Sequence, residues 1–209
     1  MKGPMPPWHH YRDVLAPDEL SRLLDFTLAS RDEFKPSKLA GGIIDPERRI
    51  STRLKAPDAV RPMLEARLGA LFPDMLERTG VRPFDLEYLE LEIAAHGDGA
   101  FFARHRDIPV GPGRTPLGGD ESGTQDRLLS AVFYFHREPK GFSGGALRLY
   151  RIGAEVDSAE DMVEIEPLQN SLLVFPAWAT HEVCRVSCPG NRFEDHRFAV
   201  NAWFCKTLA

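Results

Sequence analysis

The sequence predicts a mainly β chain with helices at its N-terminal end, an α+β arrangement whose core is a sandwich or barrel. Three observations lead there. Helical spacing of leucines is confined to the first 80 residues. From Phe84 onward, short runs of alternating, β-branched or aromatic residues are separated by Gly, Pro and Asp. The length of 209 residues, with 43% hydrophobic and 27% charged, suits one domain that buries its own core and is too short for two enzymatic domains.

Within the expected single domain, 1–209, residues 1–80 read as a helical support region and 84–205 as the β core. Pro17-Asp18-Glu19 opens a helix whose Leu20, Leu23, Leu24 and Leu28 share a face, with acids in the first turn where the helix dipole favours them. A second helical pattern starts near Pro57-Asp58, carries Val60, Met63, Leu64, Leu68 and Leu71, and is expected to break at Pro73 before Met75 and Leu76. Between the two, Lys35 to Lys55 is rich in Arg and Lys, contains Gly41-Gly42 and shows no sustained period, so it reads as loop with room for short strands. About eight strands follow: Phe84 to Ala95, Phe101 to His105, Leu128 to His136, Ala146 to Ile152, Met162 to Glu166, Ser171 to Phe175, His181 to Val186, and Phe198 to Cys205. Ile108 to Asp126, with five glycines and three prolines, reads as a long loop of the kind that serves as a lid.

Several classes are excluded or disfavoured. No apolar run approaches the roughly 20 residues of a membrane span, and the start lacks the apolar stretch of a secretory signal, so a cytoplasmic protein without a membrane partner is expected. Three cysteines, Cys184, Cys188 and Cys205, build neither a disulfide framework nor a complete zinc tetrahedron. A net charge of -5 gives no pull toward phosphate backbones, and nucleic acid is not expected as a partner.

The chemistry-bearing residues begin with His105-Arg106-Asp107 at a strand end. In extended chain, positions i and i+2 point the same way, so the imidazole and the carboxylate converge. His181, opening a later strand, adds a second imidazole. Two His and one carboxylate on one face of a metal leave open coordination positions, as in the facial triad of non-haem Fe(II) oxygenases. Parity on the last strand puts Arg197, Asn201 and Trp203 on one face and Phe198, Val200, Ala202 and Phe204 on the other. An Arg on the inner face of a barrel needs an anion, and a guanidinium grips a carboxylate bidentately.

On these residues the chain resembles the Fe(II)/2-oxoglutarate dioxygenases of the prolyl 4-hydroxylase type. The resemblance covers about Leu89 to Phe204. It rests on Phe101 to Asp107, Arg127 to Tyr134, Gly144-Gly145-Ala146-Leu147-Arg148-Leu149-Tyr150, His181-Glu182-Val183, and Arg197 to Phe204. It implies a double-stranded β-helix, the jelly-roll or cupin-like fold. It implies Fe(II) on His105, Asp107 and His181, which are also the catalytic residues, 2-oxoglutarate as cosubstrate and O2 as the oxidant, with ascorbate as an accessory. Arg197 then binds the distal carboxylate of 2-oxoglutarate and Tyr134 assists. Arg127 stands where an arginine of some relatives reaches a peptide substrate, and Trp203 where a substrate-lining Trp is found.

Three departures bear on the substrate rather than on iron and cosubstrate. His96 takes the place of a family tyrosine that faces the cofactor, Tyr134-Phe135-His136 replaces Tyr-Leu-Asn, and His181 and Arg197 lie sixteen apart. The expected activity is hydroxylation of an unactivated C–H bond, foremost of a prolyl residue in a peptide or protein, with succinate and CO2 released. The alternatives are the same chemistry on a free amino acid or small metabolite, and a non-catalytic cupin-like binding module. Demethylation of nucleic acid is disfavoured by the acidic charge and by the absence of any arginine after Arg197. The expected state is monomer or homodimer.

Overall fold

The leucine spacing of the first segment does form a helix, α1 (Pro17–Ala29), in a computed structural model that describes residues 3–39, 42–55, 58–108, 125–154 and 159–207. Glu19 accepts the Ala16 backbone N–H at 2.9 Å, satisfying one of the donors a helix start leaves unpaired. The second helix, α2 (Arg61–Thr79), runs through Pro73 without the expected break. The carbonyl that the proline ring crowds belongs to Gly69. Both residues face solvent, so the strained turn can tilt outward into water. Gly80, at φ +63°, ends the helix in the left-handed conformation that glycine adopts without steric cost. Arg67 on α2 donates to Glu19 on α1 at 2.9 Å, tying the two helices at the surface.

The β core comprises a seven-stranded and a five-stranded antiparallel sheet. The first has the order β1 (His9–Arg12), β11 (Ser171–Pro176), β7 (Gln125–Phe135), β14 (Arg197–Thr207), β5 (Tyr88–His96), β4 (Thr52–Lys55) and β2 (Lys35–Pro36). The second has the order β10 (Met162–Ile165), β9 (Leu147–Tyr150), β12 (His181–Val183), β6 (Phe101–His105) and β3 (Arg49–Ile50). A two-stranded pair, β8 (Ser143–Gly144) with β13 (Val186–Ser187), sits beside them. Thus the first 80 residues supply strands as well as helices. β1 escapes the sequence reading because His9, His10, Tyr11 and Arg12 show no apolar alternation; they pair on the edge of the sheet against Ser171 to Val174. The long strand starts at Tyr88 rather than Phe84, and the segment from His181 divides at Val183, where the chain leaves the five-stranded sheet for the β13 pair.

Alternation sorts the side chains into two cores. Leu91 and Ile93 of β5, Phe133 and Phe135 of β7, Leu172 and Val174 of β11, and Phe198, Val200, Ala202 and Phe204 of β14 pack against Leu23, Leu64, Leu68 and Met75 of the helices. The opposite faces of these strands carry Tyr134, Leu173, Phe175 and Ala199, which meet Leu147, Leu149 and Ile165 of the five-stranded sheet. Helices, large sheet and small sheet therefore form three layers. Between the sheets the next inner positions along β5, β7 and β14 are polar, and that is where the candidate site lies. No helix of the described residues is long and apolar enough to cross a membrane. The expected loop lid falls almost entirely on 109–124, outside the described residues.

Candidate active site

Strand pairing brings the two predicted histidines together. His105 closes β6, His181 opens β12, and the two are cross-strand partners with ring centroids 4.2 Å apart. His105 Nδ1 lies 2.8 Å from the Ala103 carbonyl and His181 Nδ1 lies 2.9 Å from the Ala179 carbonyl. A carbonyl accepts only from N–H, so both rings carry the proton on Nδ1 and direct a bare Nε2 inward. Asp107 follows two residues after His105, its backbone N–H held by the Ala177 carbonyl at 3.1 Å. Its Oδ1 lies 3.7 Å from His105 Nε2 and its Oδ2 3.8 Å from His181 Nε2. The three donor atoms fall within 4.8 Å of one another, the one group of three such side chains among the described residues that could hold a metal ion.

Electrostatics prepare these groups as ligands. Burial pushes the His105 imidazole down to about 3, with His181 adding to the effect, so its lone pair is available at neutral pH. Burial alone would raise Asp107, but the two imidazoles, Arg127 and a hydrogen bond from Ser130 outweigh it and keep the carboxylate ionised. Ser130 Oγ donates to Asp107 Oδ2 at 2.6 Å. Ser130 was given no role from the sequence. The available signal was a small hydroxyl on an otherwise apolar or aromatic face. Phe102 stacks on His105 at 3.5 Å between ring centroids and limits the imidazole's rotation.

Deeper between the sheets lies a small cavity of about 50 Å³, lined by the three donors together with His96, Arg197, Asn201 and Trp203. Arg197 is 1% exposed and has no carboxylate partner among the described residues. Its Nη1 donates to His96 Nδ1, its cross-strand partner, at 3.2 Å, while Nε and Nη2 have no hydrogen-bond partner among the described residues. The Tyr134 hydroxyl is likewise buried and makes no hydrogen bond of good geometry among the described residues, and the Arg197 guanidinium lies 4.9 Å from its ring centroid. Burial pushes the tyrosine up to about 12, Arg197 opposing, so the phenol stays protonated and able to donate. Because the guanidinium can only donate, His96 presents Nδ1 to it and carries its own proton on Nε2. Burial, with Arg197 and Arg49 beside it, holds His96 well below the usual histidine range, hence neutral.

Gly145 explains how so large a side chain fits here. It has φ +72°, and a Cβ built on it would stand 2.6 Å from Arg197 Cδ. Gly145 is therefore a requirement of Arg197, a role that sequence reading did not assign, whereas a Cβ on Gly144 would meet the Arg185 carbonyl at 2.5 Å.

Arg127 and Trp203 lie toward the opening. Arg127 grips Glu90 through Nη2 at 2.7 Å and Nε at 3.1 Å, and its guanidinium stacks 3.9 Å from the Trp203 ring. The stack and the ion pair form one wall of a second, outer chamber that shares Arg49, Phe102, His105, Asp107 and Trp203 with the deep cavity. All eight residues singled out from the sequence thus lie in one region between the sheets, Tyr134 through its contact with Arg197.

Residues 91–205 match the sequence profile described as the 2OG-Fe(II) oxygenase superfamily. The chain is 28% identical over 200 residues to an uncharacterised PKHD-type hydroxylase of Synechocystis sp., an alignment covering 94% of this chain and 62% of that protein. The chain thus spans less than two thirds of that relative. Its fold is similar to that of a prolyl-4-hydroxylase from Pseudomonas putida, with 22% identity, a TM-score of 0.64, and 95% of this chain and 91% of the other covered. It is also similar to a prolyl hydroxylase from Trichoplax adhaerens in complex with a hypoxia inducible factor oxygen degradation domain peptide fragment. There the identity is 18% and the TM-score 0.69, with 95% and 83% covered.

Proposed function

The chain belongs to the 2OG-Fe(II) oxygenase superfamily, whose members require Fe(II) and 2-oxoglutarate, and from that premise we propose that it hydroxylates an unactivated C–H bond of a prolyl residue in a peptide or protein, releasing succinate and CO2. Membership in an oxygenase family sets aside the reading as a non-catalytic binding module. The fold we assign is the double-stranded β-helix, in keeping with the two antiparallel sheets and the prolyl hydroxylase neighbours.

The observation that carries the site assignment is Arg197. A guanidinium buried to 1% exposure with Nε and Nη2 unpaired is costly unless an anion is meant to meet it. Nε and Nη2 form the two-pronged edge that matches a carboxylate, and the Tyr134 hydroxyl stands ready as a third donor. These residues fit the distal carboxylate of 2-oxoglutarate, and the two bare Nε2 atoms with the Asp107 carboxylate fit Fe(II). In this reading Arg197 and Tyr134 orient the cosubstrate, while His96 holds Nη1 so that the other two nitrogens stay aimed, and offers its Nε2–H to the cavity. Bound Fe(II) with 2-oxoglutarate supplies the activation of O2. The apolar faces of Phe102, Leu147 and Val183 exclude water from it.

Ser130 is assigned a positioning role: by donating to Asp107 Oδ2 it would leave the other carboxylate oxygen available to a metal ion. Ser130→Ala is expected to weaken metal binding about tenfold to a hundredfold, read by anaerobic titration with Mn(II). Unchanged affinity would mean that the hydroxyl only satisfies the carboxylate.

The test of the function is anaerobic addition of Fe(II) and 2-oxoglutarate, followed through the weak visible charge-transfer band of the chelate, then admission of O2 with proline peptides or free proline and assay of succinate. A band and peptide-dependent succinate support the reading. A well-folded, iron-loaded protein without the band would overturn it, and succinate formed with free proline but not with peptides would move the substrate to the small-molecule class.

A further inference from the structure

The outer chamber, of about 370 Å³ and open to solvent, collects positive charge on a chain whose net charge is -5. Three of its cations are already ion-paired, with two carboxylates between them: Arg49 and Arg53 share the buried Glu92 at 3.4 and 2.6 Å, and Arg127 grips Glu90. Lys38, Arg48 and Arg106 also line it, and none of the three makes an ion pair among the described residues. Against them stands one further carboxylate, Asp45, since Asp107 belongs to the metal donors. Lys38 and Arg48 come from the segment joining β2 to β3, and Arg106 lies between the two metal-ligand candidates of its own strand end, with its Nε donating to Thr180 at 3.0 Å. The free cations therefore come from two separate segments of the rim.

The floor of the chamber differs from its rim. Phe102 and Trp203 lie beside the metal donors, while Leu39 and the 60%-exposed Ile43 lie farther out. An apolar floor at the reacting centre with cations at the rim is complementary to an apolar residue flanked by negative charge. The chamber is wide, open and lined in part by exposed side chains, which suits a length of chain laid across it better than an enclosed metabolite.

We infer that the outer chamber selects an acidic peptide segment, with the residue to be oxidised lying over Phe102 and Trp203 and carboxylate side chains on either side of it meeting Lys38, Arg48 and Arg106. The inference rests on the hydroxylase reading for its reacting centre, but its charge preference is separately measurable.

The probes are three end-blocked pentapeptides with a central proline, flanked by Glu-Glu, Gln-Gln or Lys-Lys on each side, together with free proline. Binding is read from tryptophan fluorescence, to which Trp203 in the chamber wall contributes, with protein loaded anaerobically with Fe(II) and 2-oxoglutarate. The Glu peptide is expected to bind about tenfold tighter than the Gln peptide, the Lys peptide weakest, and the advantage to shrink as salt is raised. In the K38Q/R48Q/R106Q protein the three peptides should bind alike to within about twofold, as expected when the steering charges are gone. Equal binding of the three peptides to the wild-type protein, survival of the Glu preference in the triple variant, or binding of free proline as tight as that of the Glu peptide would each overturn the inference. Failure of the hydroxylase reading shows separately, as loss of the visible band in the absence of any peptide.

Discussion

Arg197→Met should abolish the response of the protein to 2-oxoglutarate while leaving its intrinsic stability equal to or above that of the wild type. The two halves of this expectation have one cause. In the protein alone, Arg197 carries a buried charge whose Nε and Nη2 make no hydrogen bond, and whose guanidinium is held below its ordinary pKa chiefly by burial. Methionine retains most of the volume, keeps the contact with the Tyr134 ring and removes the desolvated charge. Replacement of a buried ion by an apolar group of similar shape is often neutral or stabilising. His96 loses a donor to its Nδ1, which offsets part of that gain.

Ligand linkage measures the other half. At 2-oxoglutarate a hundredfold above its dissociation constant, the wild type with Mn(II) in place of Fe(II) gains about 2.7 kcal/mol, or roughly 5 to 10 °C in Tm for a chain of this size. The variant should show no such rise, and its charge-transfer band with Fe(II) should be absent. A variant that melts several degrees below the wild type and still gains the full shift would make Arg197 a structural residue and move the cosubstrate elsewhere.

How much of this was legible in the sequence follows from the range of the signals. The period of two along β14 sorted Arg197, Asn201 and Trp203 from Phe198 to Phe204, and the same period put His105 and Asp107 on one side of their strand end. These are local patterns, and one residue of slip would have reversed every side chain, so they survive folding unchanged. The contacts that were not legible are non-local. Ser130 meets Asp107 across 23 positions, and Gly145 makes room for an arginine 52 positions later. β1 pairs with a strand about 160 residues away through backbone groups that carry no side-chain signature. The break expected at Pro73 failed because the rule describes the cost of a proline in a helix, while the outcome depends on where the damaged turn points. Here it faces solvent and adjoins Gly69, and the buried Leu68, Met75 and Leu76 on the other face hold the helix together.

Asp107→Asn separates metal binding from folding at the same centre. The amide has the shape of the carboxylate and can still accept the Ser130 hydroxyl at its oxygen, so the local hydrogen bond at 2.6 Å need not be lost. What is lost is the negative charge between two bare Nε2 atoms. A divalent ion then faces two neutral imidazoles and a weak amide oxygen, with Arg127 close enough to act on the site and its charge no longer opposed by Asp107. Removal of partners that merely orient ligands already costs about tenfold to a hundredfold in metal affinity, so loss of the one charged ligand should exceed about a hundredfold. The measurement is paired: Mn(II) titration under argon for affinity, and thermal unfolding without metal for the fold. Loss of binding with a metal-free Tm within a few degrees of the wild type identifies Asp107 as the anionic ligand. Full metal affinity in the Asn protein would show that the carboxylate serves the hydrogen-bond network around Ser130 and that the ion is held elsewhere. The carboxylate cannot be replaced from nearby, because Glu90 and Glu92 are both committed to arginines. Among the described residues, Asp107 is thus the one acidic group at the donor cluster free to meet a cation.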